Sequence, residues 1–414
     1  MISIFKCTSS TRNTARGYFV ACGIVWLSLI SGCTTSSVVQ TTSPTESGKA
    51  SEGVERALPG QEKALEAEID SEPRSETIVG YYAWWMKGHW IEMDLSLNDR
   101  IIFFTTTPGT DGHLQARNGW PHAWVNFLRK TDSLGVPVVP ALALLEPDSI
   151  KALFSNPESI QNLLDTSLEL IEESGGTGVH LDIELFESVP DSLRDLFIGF
   201  TDSLAIQAER RWPDVKLSLF APAFDYDGGL YDLSRIHAGY SQIMVQGYDL
   251  HWQTGPKAGP VSTLSGWGGS NWKDIVARYQ KAGIESARMI MTIPYYGYEW
   301  PVESNEPGTA TRGEARIVTF AETDSLTLPN YRISVQNRVA EFGMSRDSVS
   351  GSPYYAFSDS TGWWQGWYED ETSLEHKYQF IRDAKLKGIA TFPMGYDKGI
   401  LDAHWNTFFG RRKR

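Results

Sequence analysis

The segment Gly178-Val179-His180-Leu181-Asp182-Ile183-Glu184 carries the residue types best able to do chemistry. Val179, Leu181 and Ile183 alternate with His180, Asp182 and Glu184, the period-two pattern of a β-strand. One face is apolar; the other bears ionisable groups. In a sandwich that polar face would meet water, whereas in a closed β/α barrel it points along the barrel axis, towards the rim where catalytic groups sit. Carboxylates at i and i+2 have α-carbons about 6–7 Å apart, from the strand rise. At that spacing one carboxyl can donate a proton while its neighbour steers charge.

Such a strand needs a barrel around it, and the chain supplies one. From Thr77 onward, strand-like and helix-like segments alternate. The expected strands are Ile78–Trp84, Arg100–Thr105, Val136–Ala143, Gly178–Leu185, Lys216–Ala221, Gln242–Gln246, Met289–Ile293 and Gly388–Pro393. Amphipathic stretches lie between them, among them Ser159–Glu173, Ser192–Arg211, Trp272–Lys281 and Ser373–Lys387. Eight strands with helical or loop returns predict an α/β fold, a (β/α)8 TIM barrel over residues 76–414. Residues 301–351, between the seventh and eighth strands, read as a small inserted α+β subdomain that could wall one side of a cleft.

The start of the chain reads as an export signal. Lys6, Arg12 and Arg16 form a positive region, followed by a mostly apolar run from Tyr18 to Ile30 that is short for a membrane span. Leu29-Ile30-Ser31-Gly32-Cys33 resembles a bacterial lipobox, which implies removal of residues 1–32 and lipidation of the Cys33 thiol. Residues 33–75, rich in Ser, Thr, Glu and Ala, are expected to be a flexible tether. The expected location is the bacterial cell envelope, on the outer membrane facing the periplasm or the surface. The three cysteines are Cys7, Cys22 and Cys33, so disulfides, cysteine metal sites and thiol catalysis are excluded from the globular body. Loss of the leader removes three positive charges and no negative ones, taking the net charge from −14 to −17. Nucleic acid is therefore excluded as a partner. Fifteen tryptophans exceed what a core of this size needs and suggest flat surfaces on which sugar rings stack.

Four strand ends together resemble glycoside hydrolase family 18. The fourth strand, Thr177 to Glu184, follows the family's Asp-Gly-x-Asp-x-Asp-x-Glu motif. The sixth ends in Gln246-Gly247-Tyr248-Asp249, the seventh in Pro294-Tyr295-Tyr296-Gly297-Tyr298-Glu299-Trp300, and the eighth reads Gly388 to Asp397. The run Tyr248-Asp249-Leu250-His251 with Gly259-Pro260-Val261 is similar to the branch containing spore-cortex and LysM-linked N-acetylglucosaminidases. The resemblance implies retaining, substrate-assisted hydrolysis next to N-acetylglucosamine, with neither metal nor organic cofactor. Glu184 would be the general acid and base, Asp182 would hydrogen-bond the acetamido N–H, and Tyr248 would hold its carbonyl. Asp249, Gln246 and His180 are the implied polar sugar contacts; Tyr81, Trp84, Trp252, Trp300 and Phe392 are the aromatic ones.

Departures from the family pattern carry their own expectations. His180 stands where many relatives have an aspartate; as a cation it would depress the Asp182 pKa and make activity depend on pH near about 6–7, the reference imidazole range. Phe392 replaces the tryptophan that floors the reactive sugar, keeping an apolar face with less area and no N–H. Chitin oligomers, peptidoglycan strands and the chitobiose core of N-glycans all present the required acetamido group. The competing readings are a lectin-like, catalytically weak glycan-binding lipoprotein and a purely structural envelope lipoprotein.

Overall fold

The computed structural model describes residues 74–224, 228–236, 238–268, 270–322 and 333–410. The expected leader, Cys33 and nearly all of the tether lie outside these residues. The domain begins slightly earlier than the tether boundary at 75 suggested. Arg74 is buried, donates to Leu97 O (2.8 Å) and Asp99 Oδ2 (3.0 Å), and lies over the Trp405 ring. An arginine in a polar run reads as solvated until its partners, here more than twenty residues on, are known.

In chain order the strands open with β1 (Thr77–Ala83), β2 (Arg100–Pro108), β3 (Leu114–Ala116) and β4 (Val138–Leu144). They continue with β5 (His180–Ile183), β6 (Ser218–Ala221), β7 (Gln242–Gln246), β8 (Met289–Pro294) and β9 (Tyr296–Val302). Then follow β10 (Arg316–Thr319), β11 (Ser345–Arg346), β12 (Pro353–Asp359), β13 (Gly362–Trp367) and β14 (Gly388–Phe392). Eight of them are parallel and run β1-β2-β4-β5-β6-β7-β8-β14 around a ring. The ring closes because β1 pairs with both β2 and β14. These are the eight strands the sequence predicted. β3 pairs antiparallel with the end of β2.

Alternation along each strand divides the side chains between two apolar layers. Val79, Tyr81, Ile102, Phe104, Val139, Ala141, Ala143, Met244, Ile290 and Ala390 fill the barrel. Ile78, Tyr82, Ile101, Phe103, Leu142 and Leu181 join the layer beneath the helices. Those helices start where their caps dictate. Asn156 caps Pro157–Glu173, whose first turn holds the proline, and Asp370 with Ser373 forms a capping box on Glu371–Asp383.

The insertion is larger than residues 301–351. Its five-stranded antiparallel sheet, ordered β10-β9-β13-β12-β11, runs from Tyr296 to Trp367 and carries the helix Val335–Phe342. The chain leaves the barrel at Pro294 and enters β9 after one residue, so the Tyr-Gly-Tyr-Glu-Trp run, which reads as the tail of a barrel strand, begins a new sheet.

Candidate active site

The chemistry-bearing strand β5 is placed by its entry. Gly178 has φ +145°, and a β-carbon there would lie 2.3 Å from the Lys216 carbonyl oxygen, so only glycine lets β5 start against β6. Val179, Leu181 and Ile183 then turn to the helical layer, leaving His180 and Asp182 inside. Their register neighbours on β4 are Ala141 and Ala143, small enough to leave room for them. Glu184 stands one residue past the strand and is still held by its N–H bond to Leu144 O (3.0 Å).

The second contribution comes from the end of β7. Gly247 O accepts from Ser262 Oγ (2.5 Å) and Trp272 Nε1 (2.8 Å), and a β-carbon on Gly247 would meet Thr292 O at 2.5 Å. That clamp fixes the next two residues. Asp249 adopts φ +54°, a conformation tolerated better by Asp than by most side chains, and accepts from Tyr296 Oη (2.7 Å). Tyr248 is half-buried, with its ring nearly parallel to that of Phe392 (10°, centroids 6.0 Å). Phe392 is also edge-on to Tyr81, Phe104 and Tyr296.

Burial governs the electrostatics. Asp182 and Glu184 are 4% and 7% exposed, and among the described residues neither has an Arg or Lys nitrogen within ion-pair distance. Burial pushes the Asp182 carboxyl up to about 7, with a hydrogen bond to Glu184 pulling it the other way. Glu184 rises well above the usual carboxylate range through burial, then through the charges of Asp182 and Asp249. Both carboxyls are thus pushed upward by burial and hydrogen-bonded to each other, so the pair retains a proton into the neutral range. Asp182 Oδ1 is buried with no hydrogen-bond partner. Tyr231, whose hydroxyl donates to Ile183 O (2.8 Å), has its own pKa raised by burial and by both carboxylates.

The structure brings together Tyr81, Asp182, Glu184, Tyr248, Asp249 and Phe392. Gln246 lies at the end of β7 with its Oε1 accepting from Ala223 N–H (3.1 Å). Trp84 sits on the rim, 38% exposed and edge-on to Trp85; Trp252 is half-buried in the loop after β7. Two expected sugar contacts are corrected. Trp300 is fully buried, bonds Gln253 O through Nε1 (3.1 Å) and joins the insertion to that loop. His180 is also fully buried, between Tyr81 Oη (3.1 Å) and Ser218 Oγ (3.0 Å), where a sugar cannot reach. Nor is it a cation: burial and then the Arg100 charge drive its pKa down to about 3. The expectation of an imidazole titrating near 6–7 is overturned, because the low-dielectric site disfavours the charged ring.

Sequence reasoning missed Arg100, Tyr231 and Tyr296. A charged residue opening an apolar strand was a readable signal for Arg100, and Tyr296 lies inside a quoted run. Tyr231 left no local signal, since it stands in irregular chain 47 residues after Glu184. Among the described residues no group of three His, Cys, Asp or Glu could hold a metal ion.

A closed barrel holding a proton-sharing carboxyl pair among aromatic walls is the arrangement of a glycosidase. The profile of glycosyl hydrolases family 18 matches residues 77–397, and the chain belongs to that family. It is 26% identical over 271 residues to "Putative sporulation-specific glycosylase YdhD" of Bacillus subtilis, covering 64% of this chain and 58% of that protein. It thus spans less than two thirds of YdhD's own length. With "Probable di-N-acetylchitobiase 1" of Dictyostelium discoideum it shares 22% identity over 283 residues, 62% of this chain and 73% of that one. Among solved structures, a family 18 chitinase from Cycas revoluta in complex with (GlcNAc)3 aligns with a TM-score of 0.69 at 17% identity, over 81% of this chain and all of the other. At that identity the likeness is one of fold.

Proposed function

We propose that this family 18 glycosidase cleaves β-1,4 linkages next to N-acetylglucosamine, in chitin-type oligosaccharides or peptidoglycan, by retaining substrate-assisted catalysis. The observation that carries the reading is the geometry of the Asp182–Glu184 pair: two buried carboxyls hydrogen-bonded to each other, with an Asp182 Oδ1 that has no partner. An acetamido N–H satisfies that acceptor. Glu184 gives its proton to the glycosidic oxygen as the acetamido carbonyl oxygen bonds to the anomeric carbon and the leaving sugar departs. The resulting oxazolinium ion is stabilised by the Asp182 charge, with no solvent screening in so buried a site. Glu184 then takes a proton from water, which opens the ring on the same face and retains configuration. Tyr248 orients the carbonyl, Asp249 and Gln246 fix the sugar, and Phe392 offers an apolar face beneath it. Tyr81 backs Phe392, and we assign Trp84 and Trp252 to the outer units of a longer glycan. The complex of the Cycas chitinase with (GlcNAc)3 supports this substrate class.

We propose further that the enzyme is a lipoprotein of the bacterial envelope, anchored through Cys33; the support is the lipobox-like sequence alone. The test of the activity is product analysis of an N-acetylglucosamine pentamer incubated with the protein and with Glu184→Gln. Cleavage by the first alone is expected. Binding of the pentamer without cleavage by either protein would replace the hydrolase reading with a lectin.

A further inference from the structure

We propose that the floor of the barrel, the end at which its strands begin, is a docking face for an anionic phospholipid bilayer, and that docking turns the carboxyl pair at the opposite end away from the membrane. The inference takes from the anchoring proposed above only that a membrane lies near, and does not depend on the hydrolase reading.

Cations gather on that floor. Arg100 opens β2, Lys216 stands two residues before β6, and Lys387 directly precedes β14. Arg100 is buried and crosses the floor, its Nη1 donating to Lys216 O (2.7 Å) and to Gln242 Oε1 of β7 (3.3 Å). Lys216 and Lys385 are exposed, and Lys387 is half-buried. The carboxylates beside them are engaged elsewhere, Asp99 by Arg74 and Glu76 by Arg382. Burial first, then the charges of Lys216 and Arg100, lower the pKa of Lys387, as expected of cations set together without a carboxylate between them.

The chain enters the barrel and finishes its last helix at this same face. Thr77 N–H donates to Lys387 O (2.8 Å). Arg382, near the end of the helix Glu371–Asp383, donates to Glu76 Oε1 (2.9 Å). Its guanidinium also lies over the rings of Phe408 (4.6 Å) and Phe409 (5.3 Å), which close the helix Ile400–Phe409. After Gly410 the sequence reads Arg411-Arg412-Lys413-Arg414. Four consecutive cations therefore start beside the point where the segment carrying Cys33 joins the barrel. Asp214, Glu285 and Asp383 are exposed at this end and offset part of the charge; the four residues after Gly410 tip it positive.

Charge complementarity selects the occupant. An anionic leaflet attracts basic groups held within a Debye length, about 8 Å at physiological salt, and more distant groups are screened. The charges facing the surface thus decide, rather than the net −14 of the chain. The rival occupant is the chain's own acidic run, Glu66, Glu68, Asp70 and Glu72. Docking that run costs the conformational entropy of every residue it orders, whereas a bilayer meets the whole face at no such cost to the protein.

The test uses residues 33–414 with Cys33→Ser, so that neither leader nor acyl chain contributes, in flotation with vesicles. Binding to mixed phosphatidylglycerol and phosphatidylcholine is expected to be about tenfold or more tighter than to phosphatidylcholine alone, and to weaken about tenfold between about 0.05 and 0.5 M salt. Lys216→Gln with Lys387→Gln, and separately glutamine at all four positions 411–414, are each expected to lose about fivefold per charge removed. Lys273→Gln, where the helix Trp272–Lys281 starts at the opposite end of the barrel, should stay within about twofold of the parent. Equal binding to both vesicles, or binding that survives both sets of substitutions, overturns the inference. So does anionic binding that emerges only once Glu66, Glu68, Asp70 and Glu72 are made amides, because the chain itself then covers the face. An unacylated Cys33 in protein recovered from its own membrane fraction would sink the anchoring reading and leave the docking, which the vesicles read without it.

Discussion

Two buried carboxyl sites in this molecule meet opposite fates. In the insertion, Glu299 is fully buried yet accepts from Arg338 Nε (2.8 Å) and Nη2 (3.1 Å), from Tyr355 Oη (2.9 Å) and from Arg316 Nη1 (3.4 Å). At the barrel centre, Asp182 and Glu184 are almost as buried; among the described residues the basic side chain within ion-pair distance is the imidazole of His180, 3.9 Å from Asp182, its pKa driven down by burial. Glu299 is held by cations on neighbouring elements, so its charge joins the insertion's sheet to its helix. Among the described residues the barrel pair has no such partner, and burial makes it keep a proton. A buried carboxylate supplied with guanidinium groups is structural; one denied them is a proton donor in waiting.

The sharpest way to break this contrast is to remove each acid group in turn. Glu184→Gln should lower kcat about a thousandfold, the weight of a general acid, while leaving the thermal midpoint unchanged or higher. Product analysis and a melting curve read both. Glu299→Ala should do the reverse. Activity per folded molecule should persist, while stability falls by about 3 kcal/mol in urea titration as Arg338 and Tyr355 lose their shared acceptor. Equal losses of activity in the two variants would dissolve the distinction.

A subtler difference is pH-linked. The folded Asp182 carboxyl titrates at about 7, above its unfolded value near 3.9. Between those values the folded state binds more protons than the unfolded, so this group's contribution to stability is complete below about pH 4 and is lost as pH rises through 7. The melting-temperature advantage of Asp182→Asn over the parent should therefore grow from pH 4 to pH 7; an advantage independent of pH would contradict the raised pKa. Smallest is the expected effect of Tyr296→Phe, which removes the bond to Asp249: a loss of about five- to tenfold in kcat/KM, worth about 1–1.5 kcal/mol, with little change in the position of the pH limbs.

Much of this was legible beforehand because it is written in short-range pattern. The eight barrel strands show as apolar runs with period two, and Asp182 and Glu184 announce themselves by falling on the polar phase of one of them. Phe392, Tyr248 and Asp249 are found through the resemblance to family 18, whose motifs fall at or just after the ends of such runs. Trp300 and His180 were misjudged for the same reason: position along a strand says which face a side chain takes, but not how deeply that face is covered or by what. Trp300 belongs to a sheet whose first strand begins one residue after a barrel strand ends, with no break in the apolar run. The His180 pKa is driven down by burial and then by Arg100, 80 residues away on another strand, and no local pattern records that neighbourhood.

The sequence by itself determined the barrel, the strand that carries the carboxyls and the residue types available for acid catalysis, since local sterics and hydrophobic periodicity act between near neighbours. Only the tertiary structure decided which carboxyls go unpaired, that the pair keeps a proton into the neutral range and that the imidazole's pKa falls. Those depend on burial and on charges brought together from distant strands, and Coulomb and desolvation energies follow distance in space rather than along the chain.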